Sequence, residues 1–387
     1  MTILHVNKFL YPRGGAETYL LALAEVQRAH GHDVHFFSQH DPKNISSPDE
    51  KYFVPQLELG SFSLVTLFKL SRLFWYRGAA RQMKRLIRDI KPDVVHIHNI
   101  YHQISPSILP VIKKAGIPIV MTVHDFKLVT PTYTLRADNK QPQRSLMMRL
   151  IVGAEFKLHQ WLKVYQKNIS CFIAPSHFVY EQLIAFGYDA AKIVVIPHAV
   201  AAPKKNTAHD GSYIFAYGRL DESKGFDTLI RAYATIDTTV PLKIAGYGPE
   251  GGALHKLVKE LNLEERVKLI GKKTPDEIQE LIAHCLFTIF PSRVHETFGL
   301  GVIESYTQAK PVIATQAGAF QETIENGRSG LLVPVDTIEA LATAINHLLS
   351  YPQSAVEMGK RGKVLAQTRY SPNTHYLAIQ RAYGNIA

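Results

Sequence analysis

Residues 286–305 read Leu-Phe-Thr-Ile-Phe-Pro-Ser-Arg-Val-His-Glu-Thr-Phe-Gly-Leu-Gly-Val-Ile-Glu-Ser, an apolar strand followed by a glycine-bearing turn and a helix. Glu296 and Glu304 stand eight residues apart, with Gly299 and Gly301 between them. Such a turn directs backbone N–H groups and the positive end of a helix dipole at an anion, while carboxylates accept hydrogen bonds from hydroxyl groups. A sugar nucleotide offers both kinds of group. Two glutamates on a helix surface would show the same spacing, so the surroundings decide between the two interpretations.

Apolar strand-like runs alternate with amphipathic helical stretches along the whole chain, a pattern that predicts parallel sheets with helices on both faces. A chain of 387 residues is long for one core, so we expect two doubly wound domains. The polar segment 201–211 predicts the boundary between a domain of residues 1–200 and one of residues 201–370. The predicted strands are Ile3–Val6, Val34–Phe37, Val94–Ile97, Ile117–Val123, Cys171–Ala174, Ile193–Ile196, Tyr213–Tyr217, Leu242–Ala245, Val267–Ile270, Leu286–Phe290 and Val312–Ala314.

The composition is that of a soluble globular protein. The first residues lack a basic segment followed by a long apolar one, and no apolar run reaches the roughly 18 residues of a spanning helix, so we expect neither a signal peptide nor a membrane span. Cys171 and Cys285 are too few for a disulfide framework and lie in apolar runs, where a small buried hydrophobe is the expected role. A cytoplasmic location fits these features.

The net charge of +11 is concentrated in the first half, where residues 1–200 hold 24 basic and 14 acidic side chains. Residues 61–91 form a basic, aromatic-rich stretch that reads as an amphipathic helix. Such a helix can lie on an anionic bilayer surface, each basic residue contributing on the order of 1 kcal/mol. The alternative is a solvated helix whose other face is core. The basic residues of this stretch are Lys69, Arg72, Arg77, Arg81, Lys84, Arg85, Arg88 and Lys91.

Ligands of doubly wound sheets bind beyond the carboxyl ends of the strands, so the turns after the strands are the candidate sites. After the first strand, Gly14 and Gly15 open a helix and would allow close approach of a phosphate or an acceptor, although a plain tight turn would look the same. His124 and Asp125 follow another strand and form a candidate active-site pair. A capping aspartate beside a surface histidine is the alternative.

His96 and His98 share one face of a predicted strand, because side chains alternate along a strand. Two histidines on one face are candidate metal ligands. The sequence places no third ligand beside them, so we expect no metal at this strand.

Gly218, Arg219 and Lys224 follow a predicted strand, which puts two cations at the carboxyl end of a sheet. Two fixed cations suit a diphosphate, whose negative charge grows as a nucleoside diphosphate departs. No Asp-x-Asp follows a strand to bind a metal, so we infer that the cations replace one, and we expect no metal and no other cofactor. Two basic residues in a surface loop are the alternative. Gly246 and Gly248 close the next strand.

The order and spacing of these motifs resemble the retaining glycosyltransferases of family GT4, over nearly the whole chain. The resemblance implies the α/β fold called GT-B, with two doubly wound Rossmann-like domains facing a cleft. It also implies a C-terminal helix, in residues 371–387, that crosses back to the first domain. The motifs are Gly14-Gly15-Ala16-Glu17, His124-Asp125, Ala174-Pro175-Ser176, Gly218-Arg219, Lys224-Gly225, Gly246-x-Gly248, Pro291-Ser292, Glu296-x7-Glu304, Pro311-Val312-Ile313-Ala314 and Gly318 to Glu322.

The resemblance assigns the nucleotide to the second domain. Arg219 and Lys224 would hold the diphosphate, and Glu304 would accept hydrogen bonds from the ribose hydroxyls. The glycines of the same nucleotide-binding set are Gly218, Gly246 and Gly248.

The resemblance assigns the donor sugar to Glu296 and to the N–H groups of Phe298, Gly299 and Leu300. His124 would face the reacting sugar. The glycines that would let the first domain close over the phosphate and the acceptor are Gly14 and Gly15.

Two departures from the family pattern concern loop conformation and the fit of the donor. Family members commonly have Asn-Gly where this chain has His198-Ala199, and Gly-Gly where it has Gly318-Ala319. Neither departure touches the residues assigned to the chemistry.

The expected reaction is a metal-independent, retaining transfer of a hexose-type sugar from a UDP- or GDP-type donor to an acceptor hydroxyl. No carboxylate is clearly presented as a nucleophile, so we expect attack on the face from which the leaving group departs, with a phosphate oxygen accepting the acceptor's proton. The resemblance is to bacterial enzymes of surface polysaccharide assembly. The expected acceptor is therefore a saccharide or a lipid-linked saccharide, and the expected location is the cytoplasm or the inner face of the plasma membrane.

The same sequence features leave other functions open. A GT-B sugar-nucleotide epimerase would convert the donor with no acceptor, and a phosphorylase would require inorganic phosphate. A dehydrogenase is a poorer fit, because no Gly-x-Gly-x-x-Gly follows the first strand. A basic membrane-binding or nucleic-acid-binding module without catalysis is a different class, but no nucleic-acid motif accompanies the charge, so we expect no nucleic-acid partner.

Overall fold

The computed structural model describes residues 1–57, 71–138, 146–203 and 211–386. Two compact units divide the chain. The first unit comprises Met1–Tyr133, Gln143–Ile196 and His375–Ala387, and the second comprises Thr134–Pro142 and Pro197–Thr374. The last residues of the chain thus belong to the first unit, as the expected returning helix requires.

Each unit contains a parallel sheet of six strands among the described residues. The strands of the first unit are β1 Thr2–Val6, β2 Asp33–Phe37, β3 Val94–Ile97, β4 Ile119–Thr122, β5 Cys171–Ala174 and β6 Ile193–Val195. Those of the second are β7 Tyr213–Tyr217, β8 Leu242–Ala245, β9 Val267–Leu269, β10 Cys285–Phe290, β11 Val312–Thr315 and β12 Gly330–Val333. The orders are β2-β1-β3-β4-β5-β6 and β12-β11-β10-β7-β8-β9.

Helices connect the parallel strands. They are α1 Gly15–Ala29, α2 Arg77–Ile90, α3 Leu109–Lys114, α4 Leu146–Trp161, α5 Val164–Asn168, α6 His177–Ala185, α7 Phe226–Ala234, α8 Gly251–Glu260, α9 Pro275–Ala283, α10 Leu300–Thr307, α11 Phe320–Thr323, α12 Ile338–Ser350, α13 Pro352–Thr368 and α14 Pro372–Gly384. Short 3-10 helices occupy Glu50–Tyr52, Pro106–Ile108, Ala190–Lys192 and Glu222–Lys224.

The strand orders locate the crevice in each sheet. A doubly wound sheet binds its ligand where the strand order reverses, beyond the carboxyl ends of two neighbouring strands. In the first sheet that point lies between β1 and β3, and in the second it lies between β7 and β10. The turns that follow these four strands are therefore the positions where functional side chains meet.

The returning helix α14 is held by apolar burial in the first unit. Ile379, Ala382 and Tyr383 share one core cluster with Ile3 and Tyr19. These five side chains are at most 5% exposed, and burying an aliphatic or aromatic side chain contributes about 1.5–3 kcal/mol.

Local sequence explains where several helices begin. Ser176 accepts a hydrogen bond from the Val179 N–H at 3.2 Å and so caps α6. This capping role accounts for the serine of the Ala-Pro-Ser motif. Thr274 and Glu277 form a complete capping box at the start of α9.

The predicted strands β1 to β11 are all present, with ends shifted by two residues or fewer. Strand β12, at the edge of the second sheet, was not predicted. Its sequence, Gly-Leu-Leu-Val, is short, begins with glycine and has two half-buried residues, so it lacks the continuous apolar run that marks the central strands.

The basic stretch 61–91 is described only from Ser71 onward, and residues 61–70 lie outside the described residues. On α2 the apolar face is buried through Ala79, Met83, Leu86 and Ile87. The alternative of a helix whose apolar face is core therefore applies to α2, and binding of the basic stretch to an anionic bilayer stays a prediction. Its basic residues are exposed. No helix in the described ranges is long and apolar enough to cross a membrane.

Candidate active site

The turns after β7 and β10 meet at the crevice of the second sheet. The Arg293 N–H donates to the Ser223 carbonyl oxygen at 2.7 Å. Gly225 has a φ of +65°, and a Cβ there would lie 2.1 Å from the carbonyl oxygen of Pro291. Only glycine permits this backbone contact and this conformation together. The glycine after Lys224 therefore holds the two turns against each other.

Lys224 and Glu296 form an ion pair across these turns. The Lys224 Nζ lies 2.6 Å from Glu296 Oε1, and the Ser292 hydroxyl donates to the same oxygen at 2.9 Å. Burial of Lys224 disfavours its charge, but the Glu296 carboxylate outweighs that effect and raises the lysine pKa above its usual value. Lys224 is therefore a fixed cation at the mouth of the crevice.

Arg219 supplies a second cation from the same turn. Its side chain is 72% exposed, and Nε lies 3.2 Å from Asp221 Oδ2. Asp221 also accepts a hydrogen bond from the Ser223 N–H at 3.0 Å, which caps the 3-10 helix Glu222–Lys224. The exposed guanidinium is available to an anionic ligand, while Asp221 fixes the turn that carries it.

The glycine turn after β8 lies directly against the turn after β7. A Cβ on Gly246 would be 2.0 Å from the Gly218 carbonyl oxygen, and one on Gly248 would be 2.2 Å from that of Leu220. The Leu220 N–H donates to the Tyr247 carbonyl oxygen at 3.1 Å. The close approach requires both glycines, and it fixes the backbone that carries Arg219.

Glu296 is held from the other side by the turn after β11. The Ala319 N–H donates to the Glu296 carbonyl oxygen at 2.9 Å, and Gly318 has a φ of +62° with its Cβ position 2.6 Å from that oxygen. Glycine is therefore needed at 318, whereas the alanine at 319 is accommodated with helical backbone angles. The departure from Gly-Gly noted in the sequence leaves this turn intact.

Glu304 lies within α10, one turn after the glycine that starts the helix. Gly299 has a φ of +88°, and its Cβ position is 2.6 Å from the ring of Phe320. Glu304 Oε2 accepts a hydrogen bond from the Tyr217 hydroxyl at 2.5 Å. Burial raises the pKa of Glu304 and the Tyr217 hydrogen bond opposes that effect. Tyr217 ends β7, so this contact joins β7 to the helix that follows β10.

Phe298 has a packing role in addition to its backbone N–H. Its side chain is 2% exposed and its ring lies 5.2 Å from the ring of His198 and 5.6 Å from that of Tyr370. His198, which stands where family members commonly have asparagine, therefore packs beneath the turn that precedes α10. This contact explains the departure at 198 in structural terms.

Arg293 is a functional-site residue that the sequence did not single out. Its guanidinium is largely buried and pairs with Asp227 and Asp336 at 2.8 and 2.7 Å. It also donates to the Glu222 carbonyl oxygen at 3.2 Å. Arg293 thus anchors the turn that carries Lys224. Its place within the Pro-Ser-Arg turn was visible in the sequence, but its partners come from distant segments.

A second missed element comes from early in the chain but belongs to the second unit. Arg136 forms an antiparallel bridge with Val294, and the His295 N–H donates to the Leu135 carbonyl oxygen at 2.7 Å. The Arg136 guanidinium pairs with Asp138 and reaches Glu222 at 3.2 Å. Residues 134–138 therefore border the turns that carry Lys224 and Glu296.

In the first unit, polar groups also meet at the crevice. Asn7, after β1, accepts a hydrogen bond from the Asn99 N–H at 2.9 Å and donates to Glu17 Oε1 at 3.2 Å. Gly14 is the N-cap of α1 and Gly15 its first residue, and both are exposed. The glycine pair is thus an open helix start beside the turn after β1.

His124 and Asp125 follow β4 in the same unit. Burial lowers the pKa of His124 to about 3, so the ring is neutral near pH 7. Burial raises the pKa of Asp125 to about 6, with Lys8 opposing the rise. His124 Nε2 lies 2.9 Å from His98 Nδ1, which places it at the end of a buried row of histidines.

The third histidine beside His96 and His98 is His5 on β1, whose register partner is His96. Ring nitrogens of His5, His96 and His98 lie within 4.8 Å of one another, close enough to hold a metal ion. Both nitrogens of each ring already have a hydrogen-bond partner. A metal would have to replace these bonds, so the geometry favours a hydrogen-bonded network.

The predicted site residues divide between the two units. The second-unit set is Gly218, Arg219, Lys224, Gly246, Gly248, Glu296, Phe298, Gly299, Leu300 and Glu304. The first-unit set is Gly14, Gly15 and His124. The assigned roles in binding remain predictions.

Two family models match the chain in succession. The model described as Glycosyltransferase Family 4 matches residues 13–202, and the model described as Glycosyl transferases group 1 matches residues 200–364. The chain belongs to the family 4 glycosyltransferases. The family resemblance and the prediction of a GT-B fold with two Rossmann-like units are both confirmed.

Relatives and solved structures agree with this assignment. An uncharacterized 42.6 kDa protein of the cps region of Klebsiella pneumoniae is 25% identical over 83% of this chain and 87% of its own length. The lipopolysaccharide core biosynthesis glycosyltransferase LpsE of Rhizobium meliloti is 29% identical over 51% of this chain and 59% of its own length. Anabaena HepE, solved with UDP-glucose, matches the fold with a TM-score of 0.74 at 20% identity, covering 100% of both chains.

Proposed function

We propose that this glycosyltransferase transfers a hexose-type sugar from a UDP- or GDP-linked donor to an acceptor hydroxyl, with retention of configuration and without a metal. The observation that carries the proposal is the Lys224–Glu296 pair at the crevice of the second sheet, 2.6 Å apart, with the exposed Arg219 on the same turn. The pair combines a cation for a diphosphate with a carboxylate for sugar hydroxyls. HepE, solved with UDP-glucose, has the same fold and supports a nucleotide-sugar donor.

In the proposed reaction, the bond between the sugar C1 and the diphosphate oxygen breaks, and a bond between C1 and the acceptor oxygen forms. The acceptor proton passes to the leaving phosphate oxygen, so no protein base is needed. Arg219 and Lys224 stabilise the charge that develops on the diphosphate. The carboxylate of Glu296 keeps Lys224 protonated and oriented before the donor binds. Glu304 accepts a hydrogen bond from a ribose hydroxyl, and the N–H groups of residues 298–300 face the donor.

A donor panel tests this proposal most broadly. Release of UDP or GDP from a set of UDP- and GDP-hexoses should identify at least one donor that the protein turns over, and the anomeric proton of the product should show the configuration of the donor. A product of inverted configuration would contradict same-face attack. Donor conversion without an acceptor would point to an epimerase, and a requirement for inorganic phosphate would point to a phosphorylase.

The absence of a metal requirement is tested separately. Turnover should persist after dialysis against EDTA, because two cationic side chains occupy the position where a metal would neutralise the diphosphate. Loss of turnover that Mg²⁺ or Mn²⁺ restores would contradict the metal-independent mechanism.

The proposed acceptor is a saccharide or lipid-linked saccharide of surface polysaccharide or glycoconjugate synthesis. LpsE, a lipopolysaccharide core enzyme, supports this choice. The first unit also exposes large apolar side chains on and after α4, with Leu150 at 65% and Trp161 at 79%. The ring of His159 donates to the Phe74 carbonyl oxygen at 2.8 Å, which places α4 beside the basic stretch that continues into α2.

Apolar side chains next to exposed arginines and lysines suit an anionic bilayer surface. Sedimentation with anionic and neutral vesicles should show binding to the anionic ones only, and the double variant Leu150→Ser, Trp161→Ser should bind less. Val356→Ser, which removes a 53% exposed side chain on α13, is the matched control. If the wild type and both variants sedimented equally with the vesicles, or if none of them sedimented at physiological salt, the acceptor would more simply be a molecule in solution.

A further inference from the structure

A continuous row of hydrogen bonds runs through the interior of the first unit and ends at His124. Gln27 Oε1 lies 2.7 Å from His5 Nε2, and His5 Nδ1 lies 3.0 Å from His98 Nε2. His98 Nδ1 in turn lies 2.9 Å from His124 Nε2. Gln27, His5 and His98 are 0% exposed, so no water competes for these contacts.

The row has a direction. A neutral imidazole has one donor nitrogen and one acceptor nitrogen, and an amide oxygen can only accept. Because Gln27 Oε1 accepts from His5, the proton of His5 is on Nε2 and its Nδ1 accepts from His98. The same reasoning puts the proton of His98 and then that of His124 on Nε2. Nδ1 of His124 is therefore an acceptor.

The Gln27 amide nitrogen starts a second series of hydrogen bonds, a branch that ends at Thr122. Gln27 Nε2 donates to the Tyr383 hydroxyl at 3.2 Å, and that hydroxyl lies 2.7 Å from His96 Nδ1. His96 Nε2 lies 2.7 Å from the Thr122 hydroxyl. Tyr383 therefore donates to His96, which donates to Thr122. Rotating the Gln27 amide by 180° would exchange its oxygen and nitrogen and so reverse donor and acceptor in every hydrogen bond of the row and the branch. The amide orientation and the tautomers of the four histidines therefore change only together.

The neutral state that this reasoning requires follows from burial. Burial lowers the pKa of His5 to about 4 and that of His124 to about 3, and it holds the pKa of His96 well below its usual value. Near pH 7 these rings carry one proton each. Their hydrogen bonds can then be satisfied only in one of the two ordered arrangements.

We propose that Gln27 is a positioning residue, which fixes His124 as the tautomer with its proton on Nε2, so that the ring presents Nδ1 to a sugar hydroxyl as a hydrogen-bond acceptor. Gln27 lies on α1 and does not itself touch the substrate. The sugar contact rests on the proposed function, whereas the tautomer does not. The amide acts through two intervening rings.

The tautomer is measured by long-range ¹H–¹⁵N correlation spectra of the protein labelled at histidine, with His124 assigned by the loss of its signals in His124→Gln. In the wild type we expect the proton on Nε2 of His124. A proton on Nδ1 would overturn the proposal, and this measurement needs no variant at Gln27 and no substrate.

Two variants test the role of the amide. An ionised glutamate at this position can only accept from His5, so Gln27→Glu at a pH that keeps the carboxylate ionised should keep the Nε2 proton of His124. Gln27→Met removes the acceptor and should give a mixture of tautomers and a roughly tenfold lower kcat, the effect of one misdirected hydrogen bond. The matched control is Gln39→Met, since Gln39 is also 0% exposed and no hydrogen bond among the described residues joins it to the row.

An unchanged His124 tautomer in Gln27→Met would overturn the role of Gln27. If the tautomer of His124 changed in Gln27→Met while kcat and KM did not, the proposed hydrogen bond between His124 and a sugar hydroxyl would be wrong. If the wild type turned over no sugar nucleotide, the proposed function would fail, while the spectra would still decide whether the amide orders the histidines.

Discussion

At the scale of single residues, the site in the second unit depends on glycines as much as on charges. The cations of the turn after β7 are useful only if that turn is fixed, and it is fixed by backbone contacts that a side chain would prevent. Gly225 meets Pro291, and Gly246 meets Gly218. The sequence shows these glycines but not the atoms they approach, because the partners lie in separate segments of the chain.

Gly246→Ala should therefore destabilise the protein. Its φ of +157° and the 2.0 Å distance from the Cβ position to the Gly218 carbonyl oxygen predict a loss of at least about 2 kcal/mol in the free energy of unfolding. Gly252→Ala is the matched control, because nothing lies within 4 Å of its Cβ position and alanine in a helix gains up to about 1 kcal/mol. Urea unfolding measures both, and equal midpoints for the two variants would contradict the role given to Gly246.

Arg293 offers a second test at this scale. Arg293→Met removes the guanidinium between Asp227 and Asp336 and leaves Asp336, 27% exposed, without that partner. We expect a loss of about 3 kcal/mol in stability, the usual result of breaking a largely buried pair, and a higher KM for the donor because the Lys224 turn loosens. Arg231→Met, on the exposed side of α7, should change neither quantity. A stable variant with an unchanged donor KM would remove the anchoring role.

At the scale of elements, α14 joins the chain end to the first unit. Ile379 is fully buried in a core shared with β1 and α1, whereas Leu377 on the same helix is 47% exposed. Ile379→Ala should cost about 2–5 kcal/mol, and Leu377→Ala well under 1 kcal/mol. Differential scanning calorimetry distinguishes the two. Equal unfolding temperatures would show that α14 is not part of the first unit's core.

Elements with continuous apolar runs could be predicted from the sequence, since a central parallel strand is buried on both faces. Edge strand β12 and the bridge between Arg136 and Val294 could not. The first has a weak pattern, and the second pairs residues 158 positions apart without any local periodicity. In the same way, His5 completes the histidine row only because β1 lies beside β3 in the sheet.

At the scale of the whole molecule, buried neutral histidines make stability depend on pH. The pKa of His5 falls to about 4 and that of His124 to about 3 through burial, and burial also lowers that of His96. Below about pH 6.5 the unfolded chain takes up protons that the folded rings do not, so stability is complete above that pH and is lost as the pH falls. Asp125, whose pKa burial raises to about 6, has the opposite effect on stability. Burial also raises the pKa of Glu17 and of Glu304, so these two carboxyl groups act in the same direction as Asp125.

The net slope between pH 6 and 4.5 should be positive, each unopposed histidine contributing about 1.4 kcal/mol per pH unit. Urea unfolding at half-unit intervals of pH measures it. In His96→Gln the slope should fall by up to about 1.4 kcal/mol per pH unit, the contribution of one proton, because one buried ring fewer must stay neutral. A wild-type stability that is flat or rises toward pH 4.5 would contradict the neutral histidine row.

The proposed reaction depends on Lys224, held by Glu296, to stabilise the departing nucleoside diphosphate. The most direct measurement is kcat for sugar-nucleotide turnover in Lys224→Ala beside Lys256→Ala, whose lysine is 78% exposed in an ion pair with Glu260. The account predicts a loss of at least about 100-fold in Lys224→Ala, with the circular dichroism spectrum of the folded protein retained, and wild-type turnover in Lys256→Ala. Wild-type turnover in Lys224→Ala would contradict it.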